Sequence, residues 1–494
     1  MAGDTATVQG NETLPSEPRR LRDIAKWDME ADVVVVGLGV AGGSAAIEAA
    51  RAGADVLILE RAAAGGGTTA DSGGLIYFGG GTPVQKACGF DDTPEEMFKH
   101  LMQASEGRNE EKVRLYCERS VEHFEWFVGL GLEFKESFYP HKAPIQETDD
   151  CLIYSGNEAA FPFSQNARPA PRGHKTRKEG DAGGLIMQKI IAGANQAGAR
   201  TVTNALCETL VTAEDGRVVG LVAEIDAEEK LVRAGRGVIL AAGGFIKNKE
   251  MLARHAPQLL HCNYPLATDG DDGRGIRMGM GAGGAAIHMG EGFVSAPFYP
   301  PSAHVKGILV NGQGQRFINE DAYHGRSGDF VLNHQGGVAY LIVDDELYGP
   351  TPAFHKIVAV EETIEALEKA VGFPESTLTT TVAFFNRHAA NGEDPLFHKA
   401  PGYLRPLSAP PYSALDLRVG KSIIPAFTLG GLETSPGGEV RTPDGKLVAG
   451  LYAAGRTTAG LPHSASGYAS GLSIADGSFF GRQAGRSAAK AEPW

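Results

Sequence analysis

The apolar positions switch repeatedly between a strand-like and a helix-like rhythm. Ala31–Val36 is a continuous, largely β-branched run, the pattern of a strand buried on both faces of a parallel sheet. A glycine turn follows, then helical spacing over Ala41–Ala52 and a second strand over Asp55–Leu59. Thr93-Pro94-Glu95-Glu96 is a helix start, with Thr as cap, Pro in the first position and Glu in the third. Helices are predicted near 94–105 and 109–129, and again over Leu185–Ala197, before a strand at Thr201–Thr203. Arg217–Glu224 and Lys230–Leu240 read as strands joined by an acidic turn. From about 300 to 425 aromatics, His and Pro become denser, helical signals appear at 360–371 and 376–390, and Pro410-Pro411 punctuates the end. Strand-and-glycine character returns from about 428. The pattern predicts an α/β fold: a polar lead-in over 1–28, a discontinuous Rossmann-like domain over 29–299 and 428–494, and a second, α+β domain inserted at 300–427.

Composition narrows the function. There are 66 glycines, clustered rather than periodic, about twice the usual share of roughly 7%. Such clusters suit tight turns around a bound group. The net charge of −14 argues against nucleic acid and anionic membrane as partners. The longest apolar runs fall far short of the ~20 residues of a spanning helix, so no integral membrane segment is expected. Met1–Glu30 lacks the apolar core of a signal peptide, and Arg19–Arg20 is not followed by the apolar stretch of a twin-arginine signal. Cys88, Cys117, Cys151, Cys207 and Cys262 are scattered, with no CxxC. A reduced, cytoplasmic protein without metal, haem or iron–sulfur ligation is expected.

The chemistry concentrates in the glycine clusters. Gly37-Leu38-Gly39-Val40-Ala41-Gly42 follows a strand and opens a helix, the context of a dinucleotide-binding turn. Gly37 permits the turn, Gly39 lets backbone approach a pyrophosphate and Gly42 lets helix and strand pack closely. Glu60 ends the second strand, 18 residues past Gly42, where a carboxylate can accept a ribose hydroxyl. A second cluster, Gly65–Gly74, carries Thr68, Thr69, Ala70, Gly73 and Gly74 and points to a cofactor larger than NAD. Ala242 and Gly243 end another strand. Gly450–Arg456 is a strand ending at Gly455, and Gly467–Ser473 opens a final helix-like run whose N-terminus suits the anion formed on flavin reduction. FAD is the cofactor this set predicts.

Together with Gly307–Glu320, Thr268-Asp269-Gly270 with Gly273, Asn386 with Gly392, Asp394 and Phe397, and Gly430-Gly431-Leu432 before Gly450–Gly455, the chain resembles the fumarate reductase/succinate dehydrogenase flavoprotein superfamily over about residues 30–490. The resemblance implies a Rossmann-like FAD-binding domain with an inserted capping, catalytic domain over the flavin. It adds Arg61, Cys207, Asp269, Arg456, Gly471, Leu472 and Ser473 to the expected cofactor contacts.

Dicarboxylate-reducing members of this family resemble one another in a His before a Thr-x-Gly-Gly step and in arginines that clamp both carboxylates. Here Phe427 stands in the His position, and no Arg lies between Thr457 and Ser478. A dianion buried without such partners is costly to desolvate. Instead Ser466–Gly471 and Tyr323–Arg326 are similar to the branch that desaturates C4–C5 of 5α-3-ketosteroids with an external electron acceptor. Tyr468-Ala469-Ser470 departs from the Tyr-Pro-Gly step of the branch that desaturates C1–C2. That second branch and an unsaturated-acid reductase are the alternatives. The resemblance implies that Tyr468 takes the C4 proton, Ser470 relays or tunes it, and Tyr323 polarises the ketone or supports the proton step. The two tyrosines are interchangeable at this stage. His174, His324 and His463 are expected to be structural, and Phe161–Phe163 and Phe293–Pro301 are candidate walls of a flat pocket.

Overall fold

The β-branched run near the N-terminus is a strand, Met29–Val36, inside a nine-stranded sheet. The computed structural model describes residues 14–350 and 355–494; the beginning of the polar lead-in, 1–13, lies outside them. Arg19–Arg20, within that lead-in, pairs in parallel with Val211–Thr212 at the sheet edge.

Sheet register positions the site. Val36 pairs with Leu59 on one side and with Leu240 on the other, and Leu240 in turn pairs with Ala453. All three pairings are parallel. Four strands therefore end side by side, and the chain segments following Val36, Leu59, Leu240 and Ala453 emerge at one edge. In open α/β sheets that carboxyl edge is where ligands bind. The glycine clusters, far apart in sequence, are thus neighbours.

Two helices cover one face of this sheet. Val40–Arg51 packs along Leu472–Lys490. Gly481 and Gly485 recur at helical spacing, and a methyl group there would come 2.3 Å from the Ala41 carbonyl oxygen and 2.1 Å from that of Ala45. The two backbones approach too closely for any side chain, which explains the small residues along the last helix.

Ile308–Val310, Tyr340–Asp344, Tyr412–Asp416 and Ile357–Glu361 form a separate antiparallel four-stranded sheet. With the helices Ile364–Val371 and Thr377–Ala389 it encloses its own apolar cluster, including Phe298, Leu341, Leu367 and Leu415. This α+β unit caps the Rossmann-like part. The first helical signal begins later than the predicted 360, because Ile357–Glu361 is a strand and Thr363 caps the helix through its side chain. The predicted helix over 109–129 is two, Glu110–Glu118 and Ser120–Gly129, separated at Arg119. The Thr93 cap holds as read, its hydroxyl accepting from Glu96 N at 3.1 Å. Among the described residues no helix is long and apolar enough to cross a membrane.

Candidate active site

A cavity of about 840 Å³ opens where the four strands end. Its wall runs from Glu60, Arg61 and Cys207 past Gly37, Gly39, Val40 and Ala41 to Phe293, Tyr323, Phe427 and Tyr468. Thr68, Thr69, Gly73, Gly74, Ala242, Gly243, Gly455, Arg456, Ser470, Gly471 and Ser473 also face it.

The protein groups along this wall fit FAD. Both flanking helices, Val40–Arg51 and Leu472–Lys490, start at a glycine with no side-chain cap; the first leaves its opening amides for a ligand, whereas in the second Leu472 N and Ser473 N are bonded to the Ala469 carbonyl and Tyr468 Oη. A methyl group built on Gly39 meets nothing within 4 Å, whereas one on Gly42 would lie 1.9 Å from the Gly37 carbonyl oxygen. The first glycine leaves backbone open to the cavity and the second seats the helix on the turn. Glu60 accepts from Leu38 N at 2.6 Å and from Ala62 N at 2.8 Å, fixing the carboxylate while leaving further lone pairs.

Four expected cofactor contacts are not in the wall. Gly42 is packed beneath the turn, Leu472 is buried in the core, and Ala70 ends the short helix Gly67–Ala70 and packs against the core. Asp269 points outward, its side chain 96% exposed and 3.3 Å from Lys247 Nζ. Its place is taken by Asp271, which accepts from Gly244 N at 2.5 Å, Thr68 Oγ1 at 2.9 Å and Arg456 Nη2 at 2.8 Å. The acidic stretch Asp269–Asp272 signalled a carboxylate here. Which one turned inward depended on the hydrogen bonds offered by segments distant in sequence. Because Arg456 is engaged by Asp271, Thr68 and the Leu266 carbonyl, it is not a spare carboxylate clamp.

The far end of the cavity is aromatic. Phe293 stacks on Phe427 with ring centres 4.7 Å apart and packs against Tyr468 at 4.7 Å. The Tyr323 and Tyr468 rings are 6.3 Å apart. Tyr323 precedes the helix His324–Asp329 and its amide donates to Asn157 Oδ1 at 2.9 Å. Gly471, with φ +94°, allows the chain carrying Tyr468 and Ser470 to turn sharply into the last helix.

The hydroxyls are paired differently from the expectation. Ser470 Oγ is 2.8 Å from Tyr323 Oη and is not bonded to Tyr468. Tyr468 Oη donates to Ser473 Oγ at 3.0 Å and accepts from Ser473 N at 3.4 Å, in the first turn of the last helix. Burial pushes both phenols above the ordinary value. For Tyr468 the bonds from Ser473 and the Arg456 charge oppose the rise. For Tyr323 the rise is larger, because burial is reinforced by Tyr468 and only the bond to Ser470 opposes it strongly.

The histidines divide. His174 is buried and bonded to Thr82 Oγ1 at 2.8 Å and the Arg172 carbonyl at 3.0 Å, away from the cavity. His463 packs edge-on against His288 with ring centres 4.9 Å apart. His324 lines the cavity, with Nδ1 2.7 Å from Ser295 Oγ and burial pushing it down to about 3, so it stays neutral. Its adjacency to Tyr323 was visible in the sequence, but its exposure to the cavity was not.

The chain matches the family model described as FAD binding domain over residues 32–472. It is similar to a 3-ketosteroid-delta4-(5alpha)-dehydrogenase from Rhodococcus jostii RHA1, whose crystal structure contains 4-androstene-3,17-dione. The identity is 46%, the TM-score 0.91, and the match covers 96% of this chain and 100% of that one. It is also similar to the 3-oxo-5-alpha-steroid 4-dehydrogenase of Comamonas testosteroni, at 28% identity over 88% of this chain and 94% of the relative. A fumarate reductase (cytochrome) of Shewanella frigidimarina matches at 28% identity over 93% of this chain and 77% of that protein. The chain is therefore an FAD-dependent oxidoreductase of the FAD binding domain family, within the fumarate reductase/succinate dehydrogenase flavoprotein superfamily.

Proposed function

We propose that this protein desaturates C4–C5 of 5α-3-ketosteroids, as an FAD-dependent 3-ketosteroid Δ4-(5α)-dehydrogenase that passes electrons to an external acceptor. The observation that carries the reading is the gathering of Tyr323, Ser470 and Tyr468 hydroxyls against the stacked Phe293–Phe427 wall. That wall suits a flat, apolar, uncharged substrate, and Phe427 stands where a dicarboxylate enzyme carries His. The similarity to two Δ4 steroid dehydrogenases supports the same substrate class.

The reaction needs a base at C4, a donor at the C3 oxygen and an acceptor for the C5 hydride. FAD, when bound, supplies that acceptor. The two phenols, both held above the ordinary value by burial, are divided between the acid and base roles by their hydrogen-bond partners. Tyr468 is the more acidic phenol, supported by Ser473 and the helix N-terminus. It polarises the C3 carbonyl and stabilises the developing enolate. Tyr323 has the higher proton affinity, and Ser470 is its hydrogen-bond partner. The pair acts as one base: Ser470 Oγ takes the C4 proton while its own proton passes to the ionised Tyr323. Proximity to Tyr323 thus moves the base from Tyr468, where the sequence first put it. His324, neutral beside the pair, takes no proton in the physiological range.

The test is anaerobic mixing of the yellow protein with a 5α-saturated 3-ketosteroid. Bleaching of the flavin with a Δ4 product is expected. A Δ1 product, or bleaching by succinate instead, overturns the assignment.

A further inference from the structure

Behind the Tyr323–Ser470 pair lies a buried polar nest that the hydride and proton chemistry at the cavity does not use. The loop Ser155–Glu158 is fastened to both catalytic segments. Ser470 N donates to the Ser155 carbonyl (2.8 Å), Tyr323 N to Asn157 Oδ1 (2.9 Å), and Asn157 Nδ2 to the Ser466 carbonyl (3.1 Å). A methyl group on Gly156 would stand 2.6 Å from Ala469 Cβ and 3.3 Å from Glu158 Oε2, so the carboxylate sits directly behind the Tyr468–Ser470 turn.

Four buried polar atoms in this nest make no protein hydrogen bond of ordinary geometry: Ser155 Oγ, Glu158 Oε1, Tyr77 Oη and Arg172 Nη1, the last two side chains lying against each other. Tyr77 lies beside Arg172 and Glu158, and its amide is bonded to the Gly471 carbonyl at 3.2 Å. Arg172 spends Nε and Nη2 on Asp92, at 3.0 and 2.7 Å, which neutralises its charge and leaves Nη1 over. Buried polar groups are almost always satisfied, and a cluster of donors and acceptors without protein partners is where ordered water resides. Glu158 is 1% exposed, yet its neighbour Ala159 is at the surface and Tyr154 and Lys142 nearby are half-buried.

We propose that Glu158 receives the substrate proton through water held by this nest and returns it to solvent. The inference rests on the desaturase reading. When the C4–H bond breaks, its electron pair enters the new C4–C5 double bond as the C5 hydride departs to the cofactor. The proton left on the Tyr323–Ser470 pair moves through water to the Glu158 carboxylate. The resulting carboxylic acid gives it up to bulk water, and the base is regenerated for the next turnover. Arg172 and Lys142 are the cations facing Glu158, and Tyr77, Tyr154 and Tyr323 the phenols. Burial raises its carboxyl above the usual range, against the pull of Arg172. A raised carboxyl must still be ionised to accept, so turnover is expected to fall as pH drops through its titration.

The test compares steady-state turnover of a 5α-3-ketosteroid from pH 5 to 9 in wild type, Glu158→Gln, Glu158→Asp and Ser155→Ala, each loaded with flavin. Glu158→Gln is expected to lose the added steepness of the acidic limb, keeping only the fall set by ionisation of Tyr323, and about tenfold or more in rate, with flavin content and melting temperature retained. Glu158→Asp should recover that steepness, and Ser155→Ala should slow turnover without moving the limb. A Glu158→Gln protein with wild-type rate and limb overturns the relay. If Glu158→Gln does not fold, wild-type turnover in Ser155→Ala overturns it. A wild-type flavin that stays oxidised with the steroid overturns the desaturase reading itself, an outcome distinct from both.

Discussion

Tyr323 Oη and Ser470 Oγ stand 2.8 Å apart across 147 residues of chain, joining the start of a cap helix to the turn before the last helix. This contact joins the proposed base to both the capping unit and the cofactor domain. It predicts that Tyr323→Phe and Ser470→Ala act on one function. Each should slow flavin reduction by steroid, Tyr323→Phe by about 10²–10⁴-fold and Ser470→Ala by less. In the double variant the losses should not multiply. Stopped-flow bleaching measures all three, and fully multiplicative losses would separate the residues.

Tyr468 is assigned to the ketone oxygen. Tyr468→Phe should abolish steroid oxidation while the protein stays yellow, a loss of about 10²–10³-fold or more. Among the described residues its hydroxyl bonds Ser473 alone, so flavin content should be close to wild type. Full turnover by this variant removes its role.

The pH dependence has a sign. Both phenols are pushed upward, Tyr323 more so, and the base must be ionised to work. The rate of flavin reduction should therefore climb with pH through 8 to 10 without a plateau. His324, at about 3, contributes no step between pH 5 and 9. A plateau already reached at pH 7 would contradict Tyr323 as base.

Asp271 holds Thr68, Gly244 and Arg456 together beside the cavity. Asp271→Ala leaves Arg456 uncompensated, a loss of about 3–5 kcal/mol for a buried pair. The variant should be isolated pale and should melt lower. Asp269→Ala should change neither, because its carboxylate is in solvent. Equal effects of the two would contradict the assignment.

Gly42 tests the turn. Any side chain there meets the Gly37 carbonyl oxygen, so Gly42→Ala should cost about 1–3 kcal/mol and lower flavin retention. Gly39→Ala meets no protein atom, so it should spare the melting temperature of the flavin-free protein and weaken flavin binding alone. Titration with FAD followed by thermal melting distinguishes the two.

The sequence by itself determined the cofactor frame. The run ending at Val36, the spacing of Gly37, Gly39 and Gly42, and Glu60 after the second strand are local patterns. Local periodicity reports strands, turns and helix starts directly, because each arises from backbone sterics within a few residues. The helix break at Arg119 and the strand at Ile357–Glu361 escaped it, since packing against distant segments overrode a continuous helical pattern. Only the tertiary structure decided that Ser470 bonds Tyr323 rather than Tyr468, that Asp271 rather than Asp269 faces the cavity, and that Glu158 lies behind the pair. Those choices depend on where side chains point once segments hundreds of residues apart are brought together, and no spacing along the chain encodes that direction.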